Sequence, residues 1–210
     1  MDTLKGKNII YFILLHYLIL AFAFWTPLFE GFYSNIIAFV LFIFVLTLFK
    51  DVRLTISKSF NPIVFKKGSF YLALFLCVIS FYIFAAIYYG RGIDLATTWY
   101  YLTHPHYTVP DRTLYKLILF SIGLVVIRPI MEEIIYRVLI QGYLQSKFNK
   151  WIALFATSFI FGIMHFDNMI HPGIHGLVYG FLNMKFKSIY PSLVLHMLWN
   201  LYALFYFNYI

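Results

Sequence analysis

Glu132 and Glu133 stand side by side in the stretch RPIMEEIIYR, with apolar residues before and after them. A carboxylate can take a proton from water as a general base. It is also costly in hydrocarbon, about 3 kcal/mol at the centre of a membrane helix on insertion scales. The remaining acids, Asp2, Glu30, Asp51, Asp94, Asp111 and Asp167, fall in loops or near the termini. Arg137 follows Glu133 by one helical turn, so the spacing predicts an ion pair on one face. Glu132 is turned about 100° around the helix and is left to face elsewhere. A second ion pair, with Arg128 one turn before it, is the alternative use of Glu132.

Three more polar groups lie within apolar runs. FGIMHF carries His165, and HMLWN carries His196 and Asn200 at a spacing that puts both on one helix face. Each alone reads as a helix-packing hydrogen bond. Depth argues for a shared role. At 1.5 Å rise per residue, Glu133 lies roughly 21 Å from Lys147, His165 roughly 22 Å from Lys150, and Asn200 roughly 20 Å from Lys187. His196 is nearer, at roughly 14 Å. Groups from three helices at similar depth can share one cavity. His171 and His175, in HPGIH, suggest a metal pair, but Pro172 and Gly173 are expected to interrupt a helix there and no HExxH pattern is present. His104 and His106 read as solvated loop residues, and His16 has no evident partner.

These groups need an apolar frame. The 210-residue chain is 62% hydrophobic and 11% charged, against about a quarter charged in soluble domains. Hydrophobic runs near the roughly 20 residues of a bilayer crossing fall at 8–26, 33–49, 69–89, 114–146, 151–166, 173–184 and 189–209. The expectation is an all-α, polytopic membrane bundle of about seven helices, forming a single membrane domain over 1–210. The fourth run is too long for one straight crossing and has Pro129 in its middle, so it is either a kinked helix or two. The net charge of +8 comes from Lys and Arg in short loops, which suits anionic headgroups and not nucleic acid. Lys50, Arg53, Lys58, Lys66 and Lys67 fall in one such loop. Alternation of these loops predicts a cytoplasmic N-terminus and an external C-terminus. Arg91 and Arg112, in the external loop 90–113, run against that pattern. Cys77, the single cysteine, excludes an internal disulfide and reads as a small buried hydrophobe.

Together, EExxxR (Glu132, Glu133, Arg137), FxxxH (Phe161, His165) and HxxxN (His196, Asn200), in that order on late helices, resemble the CPBP intramembrane protease family. This family includes type II CAAX prenyl endopeptidases and bacteriocin-immunity (Abi) proteins. The resemblance spans 114–206 and leaves the first three runs without a motif. It implies peptide-bond hydrolysis within the membrane, with a membrane-associated peptide or protein as substrate and the lipid bilayer as partner. By the same resemblance Glu132 activates water, assisted by His165, while His196 and Asn200 stabilise the oxyanion. Glu133 and Arg137 support the helix. No cofactor is favoured, since Asn is a good oxyanion donor and a poor zinc ligand; if zinc were used, Glu132, His165 and His196 would hold it. The size resembles small members of a bacterial plasma membrane. A non-catalytic immunity or signalling-regulator protein is the alternative, and a proton-coupled transporter is a further rival, weakened by the lack of an internal repeat.

Overall fold

The computed structural model describes residues 6–24, 34–89, 114–166 and 168–206; the loop 90–113, with His104 and His106, lies outside them. Every described element is helical. The helices are α1 (Gly6–Phe24), α2 (Ser34–Leu48), α3 (Lys50–Ser59), α4 (Gly68–Tyr88), α5 (Leu114–Gln145), α6 (Lys150–Ile163), α7 (Ile170–Phe186) and α8 (Tyr190–Tyr206). A short 3-10 turn, Pro62–Lys66, precedes α4. The chain is an all-helical membrane bundle. Among the described residues, α4 and α5 are long and apolar enough to cross a bilayer alone, and α2 with α3 makes a third such span if the bent pair counts as one.

Seven of these helices coincide with the seven apolar runs. The eighth, α3, was expected to be loop because of its charges. It turns by 114° from α2 and buries Val52 and Ile56 beneath a polar face. Arg53 stabilises the corner by donating to the carbonyls of Leu46 and Thr47, in the last turn of α2, where Leu46 also accepts from the Phe49 N–H at 3.3 Å. The Asn8 amide of α1 donates to Asp51 at 2.9 Å, tying the same corner to the first helix.

Two apolar clusters carry the packing. One joins α1, α2, α3 and α5 through residues such as Phe12, Phe42, Val52, Ile134 and Leu139. The other joins α4, α7 and α8 through Phe70, Phe81, Tyr179, Leu182 and Leu195. Large apolar side chains are otherwise turned outward; Leu18, Phe22, Phe159 and Phe166 are about as exposed as any. That inversion suits helices whose outer face meets lipid.

The helix α5 is continuous across Pro129, and it solves the proline problem with a π segment at Gly123–Ile127. Pro129 has no N–H to give and cannot sit in an ordinary α-ladder without loss. The Arg128 N–H donates to Gly123, five residues back. The carbonyl of Leu124 therefore receives neither the Arg128 N–H nor one from Pro129. A second π segment, Ile134–Gln141, follows the acidic pair.

The helix α7 begins at Ile170, before Pro172 and Gly173. The expected interruption at these residues does not occur, because Pro is tolerated in a first turn, where its missing N–H has no partner to lose. The two faces of α7 then divide their work. Gly173, Gly176 and Gly180 let α5 and α6 approach: a Cβ on Gly176 would meet Ser158 at 3.2 Å, and one on Gly180 would meet Leu154 at 2.5 Å. Opposite them, His171, His175 and Tyr179 form a stripe one turn apart, facing α4 and α8.

Candidate active site

A cavity of about 340 Å³ opens between α2, α5, α6, α7 and α8, and its wall includes Glu132, His165, His196 and Asn200. A second cavity, about 330 Å³, lies toward α1 and is lined by Tyr17, Met131, Tyr136 and Met164. Both share Ser34, Asn35, Arg128, Glu132 and His165. Glu132 and His165 therefore stand where the two meet.

The adjacent acids live differently. Glu133 is fully buried, with Oε2 3.3 Å from the Arg137 Nε and Oε1 accepting from the His196 Nδ1 at 3.0 Å. Arg137 is itself enclosed. Its guanidinium lies 4.7 Å from the Phe161 ring centroid and 5.7 Å from that of Tyr179, a cation–π cage in place of water. Further along the same face of α5, the Gln141 amide donates to the Gly180 carbonyl. Glu132, in contrast, keeps a quarter of its side chain exposed, with Oε2 3.7 Å from the His196 Nε2. Arg128 does not take it as a partner: its Nε donates to Asn35 at 2.9 Å, which removes the second ion pair that spacing allowed. The reason is local. Gly123 has no side chain, and Asn35 of α2 fills that space, within 2.8 Å of where a Cβ would be.

His165 lies beyond the end of α6, in the turn after Ile163, and not within the helix as the apolar run suggested. Its Nδ1–H donates to the Phe161 carbonyl at 2.8 Å, one of the last carbonyls of α6. That bond fixes the tautomer of a neutral ring and leaves the Nε2 lone pair free to accept. Asn200 donates from Nδ2 to the Leu124 carbonyl at 2.9 Å, the group left open by the π segment. One amide hydrogen remains for another acceptor. The Tyr179 ring stacks on His196 at 4.7 Å and sets its plane.

The bridging of both acids by His196, the stacking by Tyr179 and the Arg128–Asn35 contact had no reading in the sequence. A hint was present in Tyr179, which continues the His171–His175 spacing by one turn. His171 and His175 also line the main cavity, as one helical pair. Among the described residues, no three His, Cys, Asp or Glu side chains are placed to hold a metal ion.

The comparisons with known proteins fall on this same part of the chain. A family model described as type II CAAX prenyl endopeptidase Rce1-like matches residues 114–202. A Bacillus subtilis (strain 168) protein named "Putative membrane peptidase YdiL" is 34% identical over 80 residues, which is 37% of this chain. The chain spans about a third of the length of that relative, 33%. No solved structure matches. The matched residues 114–202, which hold Glu132, His165, His196 and Asn200, are thus similar to type II CAAX prenyl endopeptidase Rce1-like proteins and, in part, to that membrane peptidase.

Proposed function

We propose that the chain is an intramembrane endopeptidase that hydrolyses a peptide bond of a membrane-associated peptide or protein, with Glu132 as the base. One observation supports this above the others. Of two adjacent acids, Glu133 is consumed by Arg137 and His196, while Glu132 meets both cavities beside the open Nε2 of His165.

In this reading a water lies between Glu132 and His165. As its oxygen bonds to the substrate carbonyl carbon, Glu132 takes a proton, and the carbonyl electron pair moves onto oxygen. The remaining N–H of Asn200 and the Nε2 of His196 donate to that oxyanion. Because the Nδ1–H of His196 already bonds Glu133, donation through Nε2 requires a doubly protonated ring, with a carboxylate on each side to balance it. Collapse of the tetrahedral centre breaks the C–N bond, and Glu132 returns the proton to the leaving amine. The apolar surroundings strengthen each of these interactions.

The reading runs without metal, since Asn200 is a good oxyanion donor and a poor zinc ligand. The deciding experiment places the full chain in liposomes with two quenched-fluorescent probes, a prenylated CAAX peptide and a membrane-anchored peptide without a prenyl group. Cleavage of either, lost in Glu132→Ala and His165→Ala and resistant to chelator, is expected. Retained turnover in both variants would overturn the mechanism, and loss with chelator would revive zinc held by Glu132, His165 and His196. Bacteriocin protection retained by Glu132→Ala would favour the immunity reading instead.

A further inference from the structure

We propose that His171 and His175 are substrate-binding residues that hold the backbone of the bound peptide in the main cavity. This rests on the peptidase reading and adds a second set of contacts to it.

Both imidazoles are buried, and both line the cavity that holds Glu132 and Asn200. Neither forms a hydrogen bond with a described residue, and the Nε2 of each is buried with no partner. Buried polar atoms without partners are uncommon and cost stability, and each calls for an explanation. Packing alone would be served better by phenylalanine. Both rings already sit as aromatic plates: His175 stacks on Phe81 at 3.8 Å and meets Trp199 at 4.4 Å, while His171 stacks on Phe84 at 5.3 Å. A phenyl ring would keep these contacts and bury no nitrogen. The nitrogens are thus the part of the side chain that the fold does not use.

Their chemistry suits an extended peptide. A neutral imidazole presents one donor and one acceptor, and a peptide unit presents the complement, a C=O and an N–H. The Nε2 atoms are enclosed, so two such rings one turn apart meet successive groups along a strand of substrate as the cavity wall parts to admit it. This arrangement gives α4 a task that its sequence does not announce. Phe81 and Phe84 fix the ring planes, so the α4 helix reaches the substrate through α7.

The test compares His171→Phe/His175→Phe with the wild-type chain in liposomes, using the two quenched-fluorescent peptides above. The expected result is a KM at least tenfold higher, kcat within about threefold, and a thermal midpoint in detergent equal to or above wild type. Replacement of both by Gln, which restores a donor and an acceptor, is expected to recover part of the KM. An unchanged KM in a folded Phe variant would overturn the proposal. If the double variant does not fold, His175→Phe alone is read by the same criteria. Direct binding of each peptide to Glu132→Gln chains, with and without the Phe substitutions, separates the two readings. Weaker binding with Phe supports the histidine assignment even if no probe is cleaved. Equal binding, or no binding of either probe, overturns it.

Discussion

Glu132 and Glu133 differ by one position and by almost everything else. Around Glu133 the molecule is closed: its carboxylate is fully buried between Arg137 and His196, and three aromatic rings in turn enclose Arg137. Around Glu132 it is open on two sides, and the arginine one turn before it, Arg128, is held by Asn35. A helix can therefore place a structural charge and a reactive one in adjacent residues, because a rotation of about 100° sends them into different surroundings. Glu133 also keeps His196 in place, so the closed region orients a group of the open one.

Substitutions can break this contrast. The largest effect is expected for Glu132→Gln: a loss of about 10² to 10⁴ in kcat, the range of a general base, with thermal stability nearly unchanged. Equal loss of stability would show that Glu132 is structural too. Next comes Glu133→Gln, which leaves Arg137 buried without its counter-charge. Breaking a buried pair in this way costs roughly 3–5 kcal/mol, so a lowered melting midpoint in detergent is expected before any kinetic change is read. A stable Glu133→Gln chain would make the two acids alike. Asn200→Ala is expected to lower kcat by about 10²-fold, as for one oxyanion donor, with KM little changed. The smallest effect is expected at Pro129→Ala. A restored N–H would compete for the Leu124 carbonyl and loosen Asn200 by about 1 kcal/mol, the worth of one hydrogen bond. Activity should fall roughly fivefold while the helix gains stability. Unchanged activity would separate the π segment from the site.

Much of the frame was legible from apolar runs, since a bilayer demands long hydrophobic helices and little else satisfies them. The expectation that Glu132, His165, His196 and Asn200 share one cavity came from their placement along three helices, and the four do line one cavity. The ion pair of Glu133 with Arg137 followed from local spacing. What escaped depends on contacts between distant segments. Asn35 captures Arg128 only because Gly123 leaves room for it. His196 bridges two acids 60-odd positions away in sequence. The helix α3 was hidden by its charge, because a short amphipathic helix at an interface lacks the long apolar run that marks a span. The start of α7 was misjudged because Pro and Gly are breakers in a helix interior but not at its first turn.

The brevity of α6 has a consequence for the lipid around it. Its 14 residues extend roughly 21 Å, against a hydrocarbon core of about 30 Å. If α6 crosses the membrane, a bilayer meeting so short a wall must thin, or Lys150 and Trp151 in its first turn must reach out to the headgroups. Thinning on the side that carries His165 would shorten the path from water to the cavity. Membrane thickness then becomes a variable of the reaction, and lipids with shorter acyl chains would ease access that longer ones restrict.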